Sequence, residues 1–168
     1  MSFSKEARLQ NIADAILLLM ENTHGQSFMG TFIDERSVDA RILPTTWSEL
    51  KTRYLVRETN CRWTYTLSGR GWILGLKLLG QFDTEQMKAK AGKLAGALKD
   101  RAKGRQYDNF AGVEEIAAET GLSDDFVRDA IESDLFGELF GRKGAEWAGP
   151  YDRGRTIRIP NDFGLEHL

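Results

Sequence analysis

The residue types that most often carry catalysis or bind metals are few in this chain, and their spacing suits neither role. The histidines are His24 and His167 and the single cysteine is Cys61, and none of them forms a metal-binding pair. No glycine-rich phosphate loop follows a predicted strand. Carboxylates that could act as acids or bases are more typical of a solvated helix face; they are Glu114, Glu115 and Glu119. The sequence therefore predicts no catalytic residue, no metal and no cofactor, and leaves an enzyme of unrecognised type as the weakest hypothesis.

Basic and hydroxyl side chains in the first half have the types that bind DNA phosphates and base edges. One predicted helix carries most of them: Thr45, Thr46, Ser48, Lys51, Thr52 and Arg53. Arg62 and Arg70 flank the hairpin that follows this helix. We expect Thr46 and Ser48 to approach bases and the cations to contact phosphate, with Tyr54 buried beneath the helix.

A second basic group, Arg153, Arg155 and Arg158, lies on a predicted C-terminal hairpin. A basic hairpin loop can follow the DNA backbone and reach the minor groove. The alternative is that these arginines pair with the carboxylates that are common in this half.

The segment from Glu115 to Ile131 has the pattern of two helices joined by a tight turn. Gly121 stands where the first helix must end, because glycine adopts a left-handed backbone at little cost. Ser123 is a good N-cap for the second helix, and Asp124 and Asp125 favour its positive end. An apolar stripe then follows at helical spacing, formed by Phe126, Val127, Ala130 and Ile131.

This segment resembles the helix-turn-helix signature of prokaryotic and phage DNA-binding regulators. In that signature a small residue is followed four positions later by Gly and six after that by an aliphatic residue, here Ala117, Gly121 and Val127. The resemblance implies that the second helix lies in the major groove, with Ser123 and Arg128 contacting DNA. The alternative is that the motif only builds a compact three-helix core.

The same helix carries acids where a groove-binding helix would carry bases. They are Asp124, Asp125, Asp129 and Glu132. This pattern favours a second hypothesis, an interaction module whose acidic helix binds a basic protein or imitates the charge of DNA.

Periodicity predicts a mainly α chain with small β-hairpins. Before the hairpin of the first half, we expect a helix over Ser4–Glu21, a strand within Ser27–Ile33 and a helix over Asp34–Ile42. A further helix to Tyr54 is capped by Thr45 or Thr46, with Glu49 completing a capping box after Thr46. After it, we expect helices over Trp72–Leu79, Asp83–Lys103 and Leu135–Phe140, and a final hairpin over Ala145–Ile159.

The first hairpin ends in Tyr65-Thr66-Leu67-Ser68, which is similar to the last wing strand of winged-helix regulators, Tyr-x-Leu-Thr. With the helix-turn-helix pattern, this resemblance implies tandem winged-helix-like domains. We place them at 1–82 and 83–168, the second containing a helix-turn-helix at 112–133 and a C-terminal wing.

The totals set the remaining expectations. Residues 1–83 contain ten basic and nine acidic residues, a net of +1, and residues 84–168 contain thirteen and sixteen, a net of −3. Any binding of phosphate must therefore depend on a local group of basic residues. The longest apolar run, Ala15–Met20, is too short to span a bilayer, and a secretion signal is not evident, so a cytoplasmic protein is expected. The first hypothesis is a non-enzymatic transcription or replication regulator that binds double-stranded DNA. A protein partner, or a homodimer through the helix Thr84–Lys103, stays open.

Overall fold

The computed structural model describes residues 4–22, 33–34, 42–58 and 64–165. The chain divides into two compact units, Met1–Gly80 and Gln81–Leu168. Within the described ranges it is mainly α-helical, with one small antiparallel sheet in each unit, which confirms the predicted class at this level. Residues 35–41 of the helix predicted over Asp34–Ile42 and the turn predicted at 59–61 lie outside the described residues, and Asp34 itself belongs to a strand.

The first unit places its helices and strands in the order α1 (Lys5–Asn22), β1 (Ile33–Asp34), α2 (Pro44–Thr52), β2 (Val56–Glu58), β3 (Thr64–Leu67) and α3 (Gly69–Leu78). Strand β3 is central, with Ile33 of β1 opposite Tyr65 and Val56 of β2 opposite Leu67. The core of this unit includes the fully buried residues Ile16, Leu19, Leu50 and Leu67. Helix α2 therefore has one face fixed against the core and one face left to solvent.

The start of α2 differs from the predicted capping box. The helix begins at Pro44, and the N-cap residue Leu43 makes no side-chain capping bond. Proline suits the first helical position because its φ is already helical and no amide proton is needed there. Thr46 consequently lies inside the first turn, where it is only 5% exposed. The predictions that Thr46 caps the helix and that it approaches bases are therefore wrong.

The second unit contains α4 (Glu85–Ala102), β4 (Asn109–Gly112), α5 (Val113–Thr120), α6 (Asp124–Glu132), α7 (Leu135–Phe140), β5 (Glu146–Trp147), a short 3₁₀ helix (Pro150–Asp152) and β6 (Thr156–Ile159). Strand β6 is central, paired with β4 on one side and β5 on the other. The stripe of α4 that could serve a partner helix is buried within the unit at Ala91, Leu94 and Leu98. These residues belong to the unit's own core.

Strand β4, over Asn109–Gly112, is an element that the sequence analysis did not predict. Asn109 pairs with Ile159 and Ala111 pairs with Ile157, whose side chain is fully buried. The four residues Asn-Phe-Ala-Gly have little strand preference of their own. Their extended form depends on β6, which is supplied more than forty residues later in the chain.

The turn between α5 and α6 confirms the predicted two-helix segment. Gly121 has the left-handed φ of 73°, and its amide donates to the carbonyl of Ala117 at 2.9 Å. The Ser123 hydroxyl caps α6 by accepting from the amide of Phe126 at 3.1 Å. Ile116 and Val127 are both fully buried. The two helices therefore share one apolar core on either side of a three-residue turn.

Candidate nucleic-acid interface

The solvent face of α2 is rich in hydroxyl groups. Thr45, Ser48 and Thr52 are exposed and follow one another at spacings of three and four, which places them on one side of the helix. The Thr52 hydroxyl donates to the carbonyl of Ser48 at 2.8 Å. Trp47 and Leu50 anchor the opposite side in the core. Such a face offers short, adaptable donors and acceptors to a polar ligand.

Cations surround these hydroxyl groups. Lys51 is exposed, and its Nζ lies 4.8 Å from the centre of the Tyr65 ring. Glu49, the single acid of α2, pairs with Arg53 at 3.2 Å and with Arg8 at 3.7 Å. The Glu49 carboxylate therefore lies near two guanidinium groups, those of Arg53 and Arg8.

The end of α2 adds another cation. A guanidinium nitrogen of Arg70, at the start of α3, donates to the carbonyl of Arg53 at 3.4 Å. We use the name α2 surface for the group Thr45, Ser48, Lys51, Thr52, Arg53 and Arg70. It includes the predicted residues Ser48, Lys51 and Arg53, all of which are exposed. The predicted residue Arg62 lies outside the described residues.

Tyr54 was expected to be buried, and the structure shows the reverse. Its side chain is 73% exposed directly after α2. The apolar spacing of Trp47, Leu50 and Tyr54 would bury all three if the helix continued, but the backbone turns left-handed at Tyr54, with a φ of 58°. A left-handed helix end is normally marked by Gly, and the sequence supplies none at this position. The usual signal for such an end is therefore missing.

In the second unit, Arg128 is tied to its own fold. Its Nε donates to the carbonyl of Gly154 at 3.0 Å, and its guanidinium lies 3.5 Å from Asp125. The side chain is only 19% exposed. Arg128 thus fastens α6 to the loop before β6, while Ser123 uses its hydroxyl to cap α6.

Two of the three predicted wing arginines also have internal partners. Arg153 forms an ion pair with Glu132, and Arg158 pairs with Glu146 and lies 3.8 Å from Asp108. For these two, the alternative that they pair with nearby carboxylates is what the structure shows. The third predicted residue is the exposed Arg155.

The acidic face predicted for α6 is only half at the surface. Asp129 is 3% exposed, and the side chain of Glu132 is 15% exposed. Besides Arg153, the Glu132 carboxylate accepts a hydrogen bond from the indole nitrogen of Trp147 at 2.7 Å. The expectation that Asp129 and Glu132 face outward is wrong, because both lie on the inner side of α6. Asp124 and Asp125 are partly exposed.

No cluster of three His, Cys, Asp or Glu side chains suited to a metal ion occurs among the described residues. His24, Cys61 and His167 lie outside those residues. Within the same part of the chain, none of the helices has the length and apolar character required to span a bilayer.

Comparison with known proteins yields no match to any family model, to any curated protein or to any solved structure. The function must therefore be inferred from the chemistry of the α2 surface and from the topology of the two units.

Proposed function

We propose that this chain is a non-enzymatic DNA-binding protein with two winged-helix units, acting as a regulator of transcription or replication. The second unit has the order helix, strand, two helices and a terminal strand pair, with α7 as an addition. Its first strand pairs with its last, giving the sheet order β4-β6-β5. The first unit has the matching sheet order β1-β3-β2. Helices α2 and α6 then occupy the position of the helix that enters the major groove.

The observation that carries the proposal is the chemistry of the α2 surface. Hydroxyl groups and long cationic side chains are the groups that most often bind phosphate oxygens. Here the hydroxyl groups of Thr45, Ser48 and Thr52 share one side of α2, Lys51 and Arg53 are exposed at its C-terminal end, and the one acid of α2 is engaged by Arg53 and Arg8. Helix α6 instead begins with two carboxylates, which phosphates repel. We therefore assign the main DNA contact to the first unit.

The test is fluorescence anisotropy of a labelled duplex titrated with the full chain at several salt concentrations. Affinity is expected to fall steeply with salt, because each phosphate contact releases bound counterions. Lys51→Gln should weaken binding and reduce the slope of log K against log salt by about 0.9. Lys93→Gln, at an exposed lysine of α4, is the matched control and should change neither. Equal effects of the two variants, or no binding by the wild type, would refute the assignment.

A second candidate function rests on the first turn of α6. Asp124 and Asp125 are partly exposed there; Arg128 lies 3.5 Å from Asp125 but also donates to the Gly154 carbonyl, and Arg153 pairs with Glu132. A basic protein surface would complement this end of the helix. A lysine-rich peptide should then bind the wild type and lose affinity for the variant Asp124→Lys/Asp125→Lys. If the variant instead binds duplex DNA more tightly and the peptide binds both proteins equally, α6 faces DNA.

A further inference from the structure

Helix α2 ends in a Schellman motif, a terminus that normally requires glycine. The amide of Tyr54 donates to the carbonyl of Lys51 at 3.1 Å, and the amide of Leu55 donates to the carbonyl of Leu50 at 2.9 Å. Leu50 and Leu55 are both buried, as the apolar contact of this motif requires. Tyr54 occupies the left-handed position, with a φ of 58°.

Elsewhere this chain places glycine at left-handed positions after its helices. The described residues that do so are Gly80, Gly104, Gly121 and Gly141, with φ between 63° and 73°. An L-residue with a Cβ is strained in that conformation. The other non-glycine exception, Asp134, tolerates it because its short side chain caps α7 locally. Tyr54 lacks that advantage.

The surrounding structure holds Tyr54 in place. The Ser68 hydroxyl donates to the carbonyl of Tyr54 at 2.6 Å, and the Ser68 amide donates to the carbonyl of Leu55 at 3.1 Å. A Cβ at Gly71 would lie 2.0 Å from the Leu55 carbonyl oxygen, so only glycine fits at this position. The backbone of α3 therefore packs directly against the backbone of this turn. Residues strained in this way and fixed from several sides cluster at ligand-binding sites.

The strain is not offset by burial of the ring. The Tyr54 side chain is 73% exposed, and Tyr54 directly follows Arg53, whose carbonyl accepts a hydrogen bond from Arg70. Proteins that bind single-stranded nucleic acid combine exposed aromatic rings, on which bases stack, with basic residues that hold the phosphates, and an exposed tyrosine next in sequence to an arginine supplies both residue types.

We propose that Tyr54 is a nucleobase-stacking residue, and that the ligand of the α2 surface is duplex DNA adjoining an unpaired base. This rests on the proposed DNA-binding function and adds its substrate class. In a closed duplex both faces of each base are covered by neighbours. A stacking ring therefore meets a free base at a single-stranded tail, a gap or a melted junction.

The experiment compares the full chain on two labelled DNAs, a blunt duplex and the same duplex with a short single-stranded tail. The wild type is expected to prefer the tailed DNA by about tenfold or more, as one stacked base contributes. Tyr54→Gly should bring the ratio of affinities to about one, and Tyr54→Phe should preserve the preference because it keeps the ring. Tyr151→Gly is the control, since Tyr151 is 94% exposed in the other unit.

Stability separates a lost ligand contact from a damaged fold. Tyr54→Gly relieves the left-handed strain, so its urea midpoint should equal or exceed that of the wild type. A lower midpoint, or a preference for the tail that survives Tyr54→Gly, would overturn the stacking proposal. Equal wild-type binding to both DNAs would overturn it while leaving duplex binding intact. Absence of binding to either DNA would instead refute the proposed function.

Discussion

Replacing Glu132 with alanine is expected to destabilise the second unit by about 2–3 kcal/mol, because three parts of the unit meet at this carboxylate. It lies at the end of α6, accepts the indole N–H of Trp147 in β5, and pairs with Arg153 in the loop before β6. A hydrogen bond to a charged group contributes about 1.5–3 kcal/mol net. Arg153 is 32% exposed, so water compensates for part of its loss. This sets our estimate below that for a fully buried pair.

Hydrogen exchange measured by mass spectrometry localises the effect. Peptides from α6 and from β5 and β6 should exchange faster in Glu132→Ala, while peptides from α1, in the other unit, should not change. Urea unfolding followed by tryptophan fluorescence gives the magnitude. Glu114→Ala, at an exposed acid of α5, is the control and should shift stability by less than about 1 kcal/mol. An unchanged urea midpoint and unchanged exchange in Glu132→Ala would refute the reasoning, because Glu132 would then behave as an ordinary surface acid.

Two further predictions concern ion pairs of the second unit. Arg101 of α4 donates to Glu115 and Glu119 of α5, each at 2.8 Å. Arg101→Ala should therefore weaken the packing of α4 on α5 and lower the free energy of unfolding by about 1 kcal/mol. The change should appear as a lower urea midpoint, and an unchanged midpoint would contradict this. The hydrogen bond from Lys143 holds the pKa of Asp162 in the folded protein below its ordinary value of 3.8. The stability that this pair provides is therefore fully present above about pH 3.8, and it is lost as the pH falls through the lowered pKa of the folded protein. Asp162→Asn should therefore flatten the acid side of the stability profile measured by thermal unfolding between pH 2 and 6, whereas an identical slope would show that the pair contributes nothing.

Features fixed by short stretches of sequence could be predicted. The Thr84 cap of α4, the Gly121 turn and the Ser123 cap of α6 each depend on residues within one helical turn. The predicted segments therefore match the helices to within a few residues. Their chemistry is local, so the neighbours in sequence carry the whole signal.

Features decided by distant partners could not be predicted. Strand β4 exists because β6 pairs with it, and Glu132 turns inward because Trp147 and Arg153 supply donors from other elements. The conformation of Tyr54 depends on a local and on a distant feature. The end of α2 requires a left-handed residue there, and the N-cap residue of α3, Ser68, then holds that residue by a hydrogen bond. The candidate site shows the same division. The sequence identified its hydroxyl and basic residues, but it could not predict which of their side chains are exposed.

The basic residues of the two units lie in different settings, and under the proposed DNA-binding function this difference decides which unit would contact phosphate more readily. The side chain of Arg53, at the end of α2, is 50% exposed, whereas those of Arg128 in α6 and Arg153 in the following loop are 19% and 32% exposed. For Arg128 or Arg153 to contact phosphate, each would have to leave partners that hold α6 to the sheet, and that cost would be subtracted from the binding free energy. Arg53 also has a partner, Glu49, but that pair lies within one helix region and the Arg53 side chain is half exposed, so contact with phosphate costs it less. If the second unit binds DNA at all, its contribution to the salt dependence should therefore be smaller than that of the α2 surface.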